Sequence, residues 1–341
     1  MAKLKMGIIG AGKIAQVLHA PNIYKSKFAE LIAISDVDES RLLKFKDDYP
    51  FIHTYTDYKA MLAKEDLDAV SVCVSNNLHA SVSIDALKSG KHVLVEKPMA
   101  TSSIEAANMI EISKSNNKVL MVDHSQRFFP HHQKAKEIIS SGILGEIRVV
   151  KAMFGHSGPE NWSPTASWFL QKQKSAFGAL ADLGIHKIDI IRYVTGLEFN
   201  KCVALTKTLE KHADVEDVAV GIFQLSNGAL AEITASWATH GLEENYLVIY
   251  GSAGTMKVGS VNSTQIDIYL EKPIKFHGKI ELKPLFTNED EYWNLPVIDH
   301  FAKVCLGEEK PMVTGEDGLA ALKIVEKMFI SGKESSIVEC S

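Results

Sequence analysis

The first 125 residues alternate short apolar runs with helix-like stretches, and this rhythm restricts the fold more than any other feature. Leu4–Ile9, Glu30–Ser35, Ala69–Ser75, His92–Glu96 and Lys118–Asp123 read as strands buried on both faces. Helical patterns at Ile14–Leu18, Glu39–Asp48, Tyr58–Lys64, Ala80–Lys88 and Ser103–Ser115 separate them. A strand followed each time by a helix must return by a crossover, which makes the sheet parallel. Gly90 offers a C-cap and Thr101–Ser103 offer N-cap oxygens. This half is expected to be a doubly wound, Rossmann-type α/β sheet.

After Pro130 the rhythm changes. A helix at Gln133–Ser140 is followed by apolar runs at Ile147–Phe154, Val203–Leu209, Val218–Leu225, Ala229–Ala235 and Leu247–Tyr250. Ser226-Asn227-Gly228 joins two of these runs and signals a hairpin, because Asn-Gly supplies the positive φ of a tight turn. The second half is therefore expected to be α+β, with an open-faced, mainly antiparallel sheet. One strong helix at Gly178–Thr195 interrupts it, and helices return at Ile298–Leu306 and Gly318–Ser331. The 341 residues divide on this reading into a doubly wound domain over 1–125 and an α+β domain over 126–341. The last helices are free to pack back on the first domain.

Composition removes several classes of function. A net charge of -5 and a pI near 6.2 give no general affinity for nucleic acid or anionic membrane. No apolar run is long enough for a transmembrane helix, and Met1–Met6 passes straight into a strand rather than a leader peptide. Cys73, Cys202, Cys305 and Cys340 show no CxxC spacing for zinc or redox work. A cytoplasmic enzyme is expected.

Gly10-Ala11-Gly12-Lys13-Ile14-Ala15 follows the first strand and opens the first helix. Gly10 permits a tight turn, Gly12 lets backbone amides approach a pyrophosphate, and Ala15 keeps helix and strand close. The positive end of the helix then faces the phosphates. A plain tight turn is the other reading, and Asp36, about 20 residues further on, weighs against it as a ribose-binding carboxylate. Asp36 favours NAD over NADP, since it repels a 2′-phosphate; its plainer alternative is a helix cap near Asp38. Arg41 reads as a solvated helix residue that could also reach a phosphate.

His92-Val93-Leu94-Val95-Glu96-Lys97-Pro98 is an apolar strand that ends in a charged pair and a proline. Ligands bind at strand carboxyl ends in such sheets. A lysine beside an oxidised nicotinamide has its pKa lowered into a useful range; a surface Glu–Lys pair is the bland alternative. In Gly178–Asp189, residues Asp182, His186 and Asp189 have i, i+4, i+7 spacing, which predicts one helix face. Imidazole suits acceptance of a hydroxyl proton. A metal held by these three is disfavoured because one helix offers too few ligands, so no metal is expected; a structural His186 stays open, and Asp189 reads as a tie to a neighbouring element.

Gly10-Ala11-Gly12, Asp36, Ser75-Asn76-Asn77-Leu78-His79 and Glu96-Lys97-Pro98 together resemble the glucose–fructose oxidoreductase / inositol dehydrogenase / rhizopine-catabolism (Gfo/Idh/MocA) family. The resemblance continues through Leu144–Ile147, Glu216-Asp217, Gly251–Gly254 and Pro311–Gly318. It implies a Rossmann domain followed by an open-faced sheet that carries substrate and subunit contacts. It places Lys97 by the nicotinamide and the substrate hydroxyl, and Ser75, Asn76, Asn77, His79 and Glu96 among the cofactor contacts. Asn76 stands where the family has proline. Asp182 and His186 match the substrate and acid–base positions, while Ala176 and Phe177 stand where glycines are common, so Phe177 is expected to reshape the pocket.

Arg127 and Phe128 match an Arg-Phe pair that shapes the floor of the site. Trp162, Trp168 and Trp237 are candidates for stacking on a sugar, or for core packing. His131-His132 reads as a solvated helix start. The activity implied is reversible, NAD(P)-dependent oxidation of a secondary alcohol on a sugar or polyol, in a homo-oligomer, either dimer or tetramer. An NAD-using glycosidase and a non-catalytic sugar or dinucleotide sensor are the alternatives.

Overall fold

The computed structural model describes residues 3–163, 167–259, 265–271, 275–282 and 294–340. The chain divides into two units, Met1–Ser125 with Phe286–Leu319 and Gln126–Leu285 with Ala320–Ser341.

In the first unit the apolar runs become strands and the polar-faced stretches between them become helices. The order is β1 (Leu4–Ile9), α1 (Ala20–Lys25), β2 (Ala29–Ser35), α2 (Glu39–Asp48), β3 (His53–Tyr55) and α3 (Tyr58–Lys64). It continues with β4 (Ala69–Val72), α4 (Asn76–Lys88), β5 (His92–Glu96), α5 (Ser103–Ser115) and β6 (Leu120–Asp123). All six strands pair in parallel in the order β3-β2-β1-β4-β5-β6, a doubly wound sheet. Met6, Ile8, Val70, Val93, Val95 and Met121 are fully buried, which is why these strands read as unbroken apolar runs.

Several elements differ from the sequence reading: α1 lies at Ala20–Lys25, past the expected Ile14–Leu18, α4 starts at Asn76 rather than Ala80, and β6 at Leu120 rather than Lys118. The strand β3 was not foreseen, because three residues of mixed polarity carry no apolar run. The strand β4 stops at Val72 rather than Ser75, since Ser75 takes the N-cap position of α4 in an extended conformation.

The second unit starts with α6 (Pro130–Ser140) and β7 (Ile147–Gly155), then α7 (Lys172–Ser175) and α8 (Ile185–Thr195). The strands β8 (Phe199–Lys207), β9 (Val218–Leu225), β10 (Leu230–Ser236), β11 (Glu244–Gly251), β12 (Gly254–Val258), β13 (Gln265–Leu270) and β14 (Phe276–Glu281) follow. After α9 (Val297–Cys305) and α10 (Gly315–Glu334) the chain adds β15 (Val338–Glu339). The nine-stranded order is β14-β13-β12-β11-β7-β10-β9-β8-β15, antiparallel except for β7 beside β10.

The expected hairpin joins β9 to β10, with Gly228 at φ 87° and the Asn227 side chain accepting from Ala229 N at 3.0 Å. Alternation then sorts the sheet into two faces. Ala219, Phe223, Ala231 and Ile233 point into a core shared with Ile188 and Ile191 of α8 and Val325 and Met328 of α10. Val203, Leu205, Val220, Ile222 and Leu230 lie on the other face and are exposed.

Ala176, at the end of α7, has φ 67° and ψ -46°. A side chain resists that conformation, which costs on the order of 1–3 kcal/mol for a residue other than glycine. This is a backbone reason for glycine at the position, and alanine carries the strain here. Phe177 next to it meets Phe329 edge-on at 5.3 Å and packs against the sheet core, so its ring is taken up there. We expect Ala176→Gly to stabilise the protein by about 1 kcal/mol, after the entropy glycine adds to the unfolded chain. In a thermal melt Tm should rise by about 2 °C; an unchanged or lower Tm would show that no strain is stored there.

Candidate active site

In the first unit the polar groups gather at the carboxyl ends of β1, β2, β4 and β5. Gly10 N donates to Ser35 O at 2.7 Å, and Gly10 adopts φ 101°. A Cβ there would lie 2.6 Å from Cys73 O, so packing alone requires glycine. Gly12 is different: a Cβ would meet only Cys73 O, at 4.0 Å. The protein does not fill the space over Gly12, which suits the close approach of a pyrophosphate. Lys13 is exposed and Ile14 half-buried, and the helix opens with a π-turn over Ala15–His19 before α1.

Asp36 holds this loop. One carboxylate oxygen accepts from Ala11 N at 2.7 Å and the other from Asp38 N at 2.9 Å, while an Arg41 nitrogen stands 3.5 Å from the first. The cap of α2 is Asp38, which accepts from Ser40 N at 3.0 Å. The reading of Asp36 as that cap is therefore corrected. A dinucleotide fits this donor set: the amides of Gly12–Ile14 at the helix start for the pyrophosphate, those of Gly10 and Ala11 being taken by Ser35 and Asp36, and Asp36 for the adenine ribose.

After β4, Ser75 Oγ donates to Asn77 Oδ1 at 2.8 Å, and Asn76 is buried at the start of α4. His79 was expected to touch the cofactor. Instead its ring nitrogens lie 2.7 Å from Pro98 O and 3.0 Å from Val74 O, so it ties the end of β4 to the turn after β5. Glu96 is not half of a surface Glu–Lys pair, because its buried carboxylate faces His19 Nε2 at 2.9 Å. Its other oxygen accepts from the backbone N–H of Lys97 at 3.2 Å. Lys97 itself is half-buried at the carboxyl end of the sheet.

In the second unit the working element is the helix that carries Asp182 and His186. Glu216 pins its start: one carboxylate oxygen accepts from Gly178 N at 2.7 Å and Leu180 N at 3.1 Å, and Ala179 N donates to Glu216 O. The approach is so close that a Cβ on Gly178 would lie 1.9 Å from Glu216 O. Burial pushes the Glu216 carboxyl up to about 7, against those amide bonds. Asp217 accepts from Leu209 N, Glu210 N and Lys211 N, which folds the adjoining loop.

The helix opens as a π-turn over Leu180–Gly184, so the expected single face does not hold. Asp182 accepts from Trp237 Nε1 at 3.0 Å and lies 3.9 Å from His156 Nε2. The His186 ring lies 5.8 Å from Phe154. Asp189 turns away to Arg127, which grips it through two nitrogens at 2.9 and 2.6 Å. Asp189 is thus the structural tie expected of it, and the buried Arg127 guanidinium is committed to that pair rather than to substrate.

Trp237 is fully buried, so stacking on a sugar is replaced by its bond to Asp182. Trp162 and Trp168 are half-buried and frame Phe169, at 5.6 and 3.9 Å between ring centroids. His131 and His132 are buried, not solvated. Burial, with Lys187 second, pushes His131 down to about 4. Lys187, next to His186, has no exposed surface; its ammonium reaches Asn245 Oδ1 and stands 3.4 Å from Gln126 Oε1. Burial pushes it down to about 7. Sequence reasoning missed His156, Lys187 and the role of Glu216; only the Glu216-Asp217 pair had left a mark, as part of the family resemblance.

Two family models match the chain. One, an oxidoreductase family with an NAD-binding Rossmann fold, covers residues 4–124, and the other, the GFO/IDH/MocA C-terminal domain, covers 132–257. A myo-inositol 2-dehydrogenase of Thermotoga maritima is 29% identical over 94% of this chain and 93% of its own length. D-glucoside 3-dehydrogenase of Escherichia coli is 30% identical, covering 72% of this chain and 73% of its own. In fold, the chain matches an oxidoreductase from Agrobacterium radiobacter in complex with NAD+, L-tartaric acid and magnesium, with a TM-score of 0.88, 24% identity and 99% of each chain covered.

Asp36 supports the loop, and a carboxylate at the end of β2 is expected to repel a 2′-phosphate. Asp36→Ala should therefore raise KM for NAD far more than KM for NADP. An unchanged ratio of the two in steady-state assays would mean that the carboxylate serves the loop alone.

Proposed function

The chain belongs to the Gfo/Idh/MocA oxidoreductase family, and from that premise we propose that it reversibly oxidises a secondary alcohol of a sugar or polyol, with Lys97 and His186 handling the reacting hydroxyl. The observation that carries the reading is a histidine on a helix whose start is pinned by Glu216 and whose Asp182 is oriented by Trp237. Bound NAD supplies the hydride acceptor. Lys97 donates a hydrogen bond to the reacting oxygen and stabilises the charge that develops there. His186 takes the hydroxyl proton through its imidazole and returns it in the reverse direction. Asp182, fixed by the indole N–H, orients a neighbouring hydroxyl.

A sugar or polyol is supported by relatives that act on inositol and glucosides. Four free cysteines suit a reducing compartment, and we place the protein in the cytoplasm. No helix among the described residues is long and apolar enough to cross a membrane. The exposed Val203, Leu205, Val220, Ile222 and Leu230 form an apolar face suited to a second copy of the chain.

Lys97→Met and His186→Ala should each lower kcat by about a hundredfold or more while the affinity for NADH is little changed. Near-normal turnover of both variants, over a panel of polyols, aldoses and sugar nucleotides followed at 340 nm, would end this assignment. Light scattering should give a mass that is a multiple of 37.6 kDa, and Ile222→Lys should lower it towards the monomer. A wild-type mass of one chain would remove the oligomer from the reading.

A further inference from the structure

Beneath the turn that carries Lys97, the first unit holds a cluster of buried ionisable groups that the proposed reaction does not use. His19, in the π-turn ahead of α1, has no exposed surface. Its Nε2 stands 2.9 Å from Glu96 Oε1 and 3.6 Å from Asp123 Oδ2, and its Nδ1 stands 3.2 Å from Ser71 Oγ. Glu96 is 8% exposed and Asp123 1%, so neither carboxyl group is solvated by bulk water. Two carboxylates buried beside one ring cannot both be charged at low cost, and protonation of one of them relieves the repulsion.

The cluster connects to the turn through one carboxylate. Glu96 Oε1 meets His19, and Glu96 Oε2 accepts the Lys97 backbone N–H. His19 thus fixes the Glu96 carboxylate, and that carboxylate fixes the main chain from which the Lys97 side chain departs.

We propose that His19 is a positioning residue for the oxidoreduction: it holds Glu96, Glu96 holds the Lys97 turn, and the proton that Asp123 holds or releases, 3.6 Å from the same ring nitrogen, sets the charge beneath the lysine. The inference rests on the reading of Lys97 as catalytic. The other ionisable neighbours are Cys73 after β4, His79 of α4 and Lys97 itself. Burial pushes the Cys73 thiol up and the His79 ring down, so both are neutral near pH 7. Burial opposes a charge on His19, but the hydrogen bond with the Cys73 sulfur and the hydrogen-bonded Glu96 carboxylate raise it above its ordinary value. Burial also opposes the Glu96 charge, yet His19 and then Lys97 keep that carboxyl below its usual range.

Asp123 is the member that titrates. Burial, followed by the charge of Glu96, pushes it up to about 7. As pH rises through that value Asp123 gives up its proton, and the cluster passes from neutral to one negative charge.

The test uses the holoenzyme with NAD and measures kcat, KM and NADH affinity across roughly pH 6 to 9. His19→Leu should lower kcat by about tenfold, the scale of one buried hydrogen bond to a charged group, with NADH affinity little changed. His19→Gln, whose amide N–H can still meet Glu96, should recover most of that loss. Asp123→Asn should abolish one inflexion of the wild-type kcat profile near pH 7, and it decides the question even where His19→Leu does not fold. Wild-type kcat in His19→Leu, or an unchanged profile in Asp123→Asn, overturns the proposal while an inactive Lys97→Met leaves the parent reading standing. An active Lys97→Met overturns both. The ligand atoms of His19, Glu96 and Asp123 lie within 4.8 Å of one another, so a divalent cation is the rival occupant. Stoichiometric metal in the purified enzyme, whose removal by a chelator reproduces the loss of kcat, overturns the protonation of Asp123.

Discussion

Both functional regions depend on one kind of interaction, a buried carboxylate that accepts a backbone N–H. Asp36 takes Ala11 N, Glu96 takes Lys97 N, and Glu216 takes Gly178 N and Leu180 N. Each such bond to a charged group contributes about 1.5–3 kcal/mol and leaves an expensive unpaired group behind if one partner is lost. The residues assigned to chemistry are therefore placed from behind. The glycine loop, the Lys97 turn and the His186 helix each take their geometry from an acid that the substrate need not touch.

The same economy explains the two π-turns. Ala15–His19 follows the glycine loop and Leu180–Gly184 precedes His186. A π-turn inserts an extra residue in the hydrogen-bond ring and rotates the side chains before it relative to those after it. In the first unit this leads from an amide-rich loop to a histidine directed at Glu96. In the second it separates Asp182, bound to Trp237, from Asp189, bound to Arg127. A regular helix would have stacked the two carboxylates beside one imidazole.

This divides what was legible in the sequence from what was not. The strand–helix rhythm, the glycine loop and the 226–228 hairpin are local patterns, and the chain realises them where the pattern lies. The parallel sheet follows because fully buried strands carry no polar face. The short β3 and the mixed-polarity β12, β13 and β14 lack such a signature. The failures at the site have a common cause. Glu216 meets Gly178, Trp237 meets Asp182 and His79 meets Pro98 across long stretches of chain, and no local spacing encodes those meetings. The His131-His132 pair was misjudged on the same ground, since polarity at a position says nothing of what folds over it, whereas Trp237 took the core place that was one of its two readings.

Lys187 shows what such a site costs. Its folded pKa, about 7, lies far below the 10.5 of an exposed lysine. Between those values the unfolded chain binds the proton and the folded chain does not, so the penalty on stability is greatest at and below pH 7 and fades as pH rises towards 10.5. A methionine of similar length would avoid that penalty. The fold nonetheless keeps an amine in the residue after His186, held by amide oxygens instead of a carboxylate. Amides orient an amine without fixing its charge, whereas a carboxylate would have locked it as an ammonium. The fold tolerates a buried amine held by amide oxygens in the helix that carries His186, and the acids that anchor Gly178 and Arg127 compensate at either end of that segment.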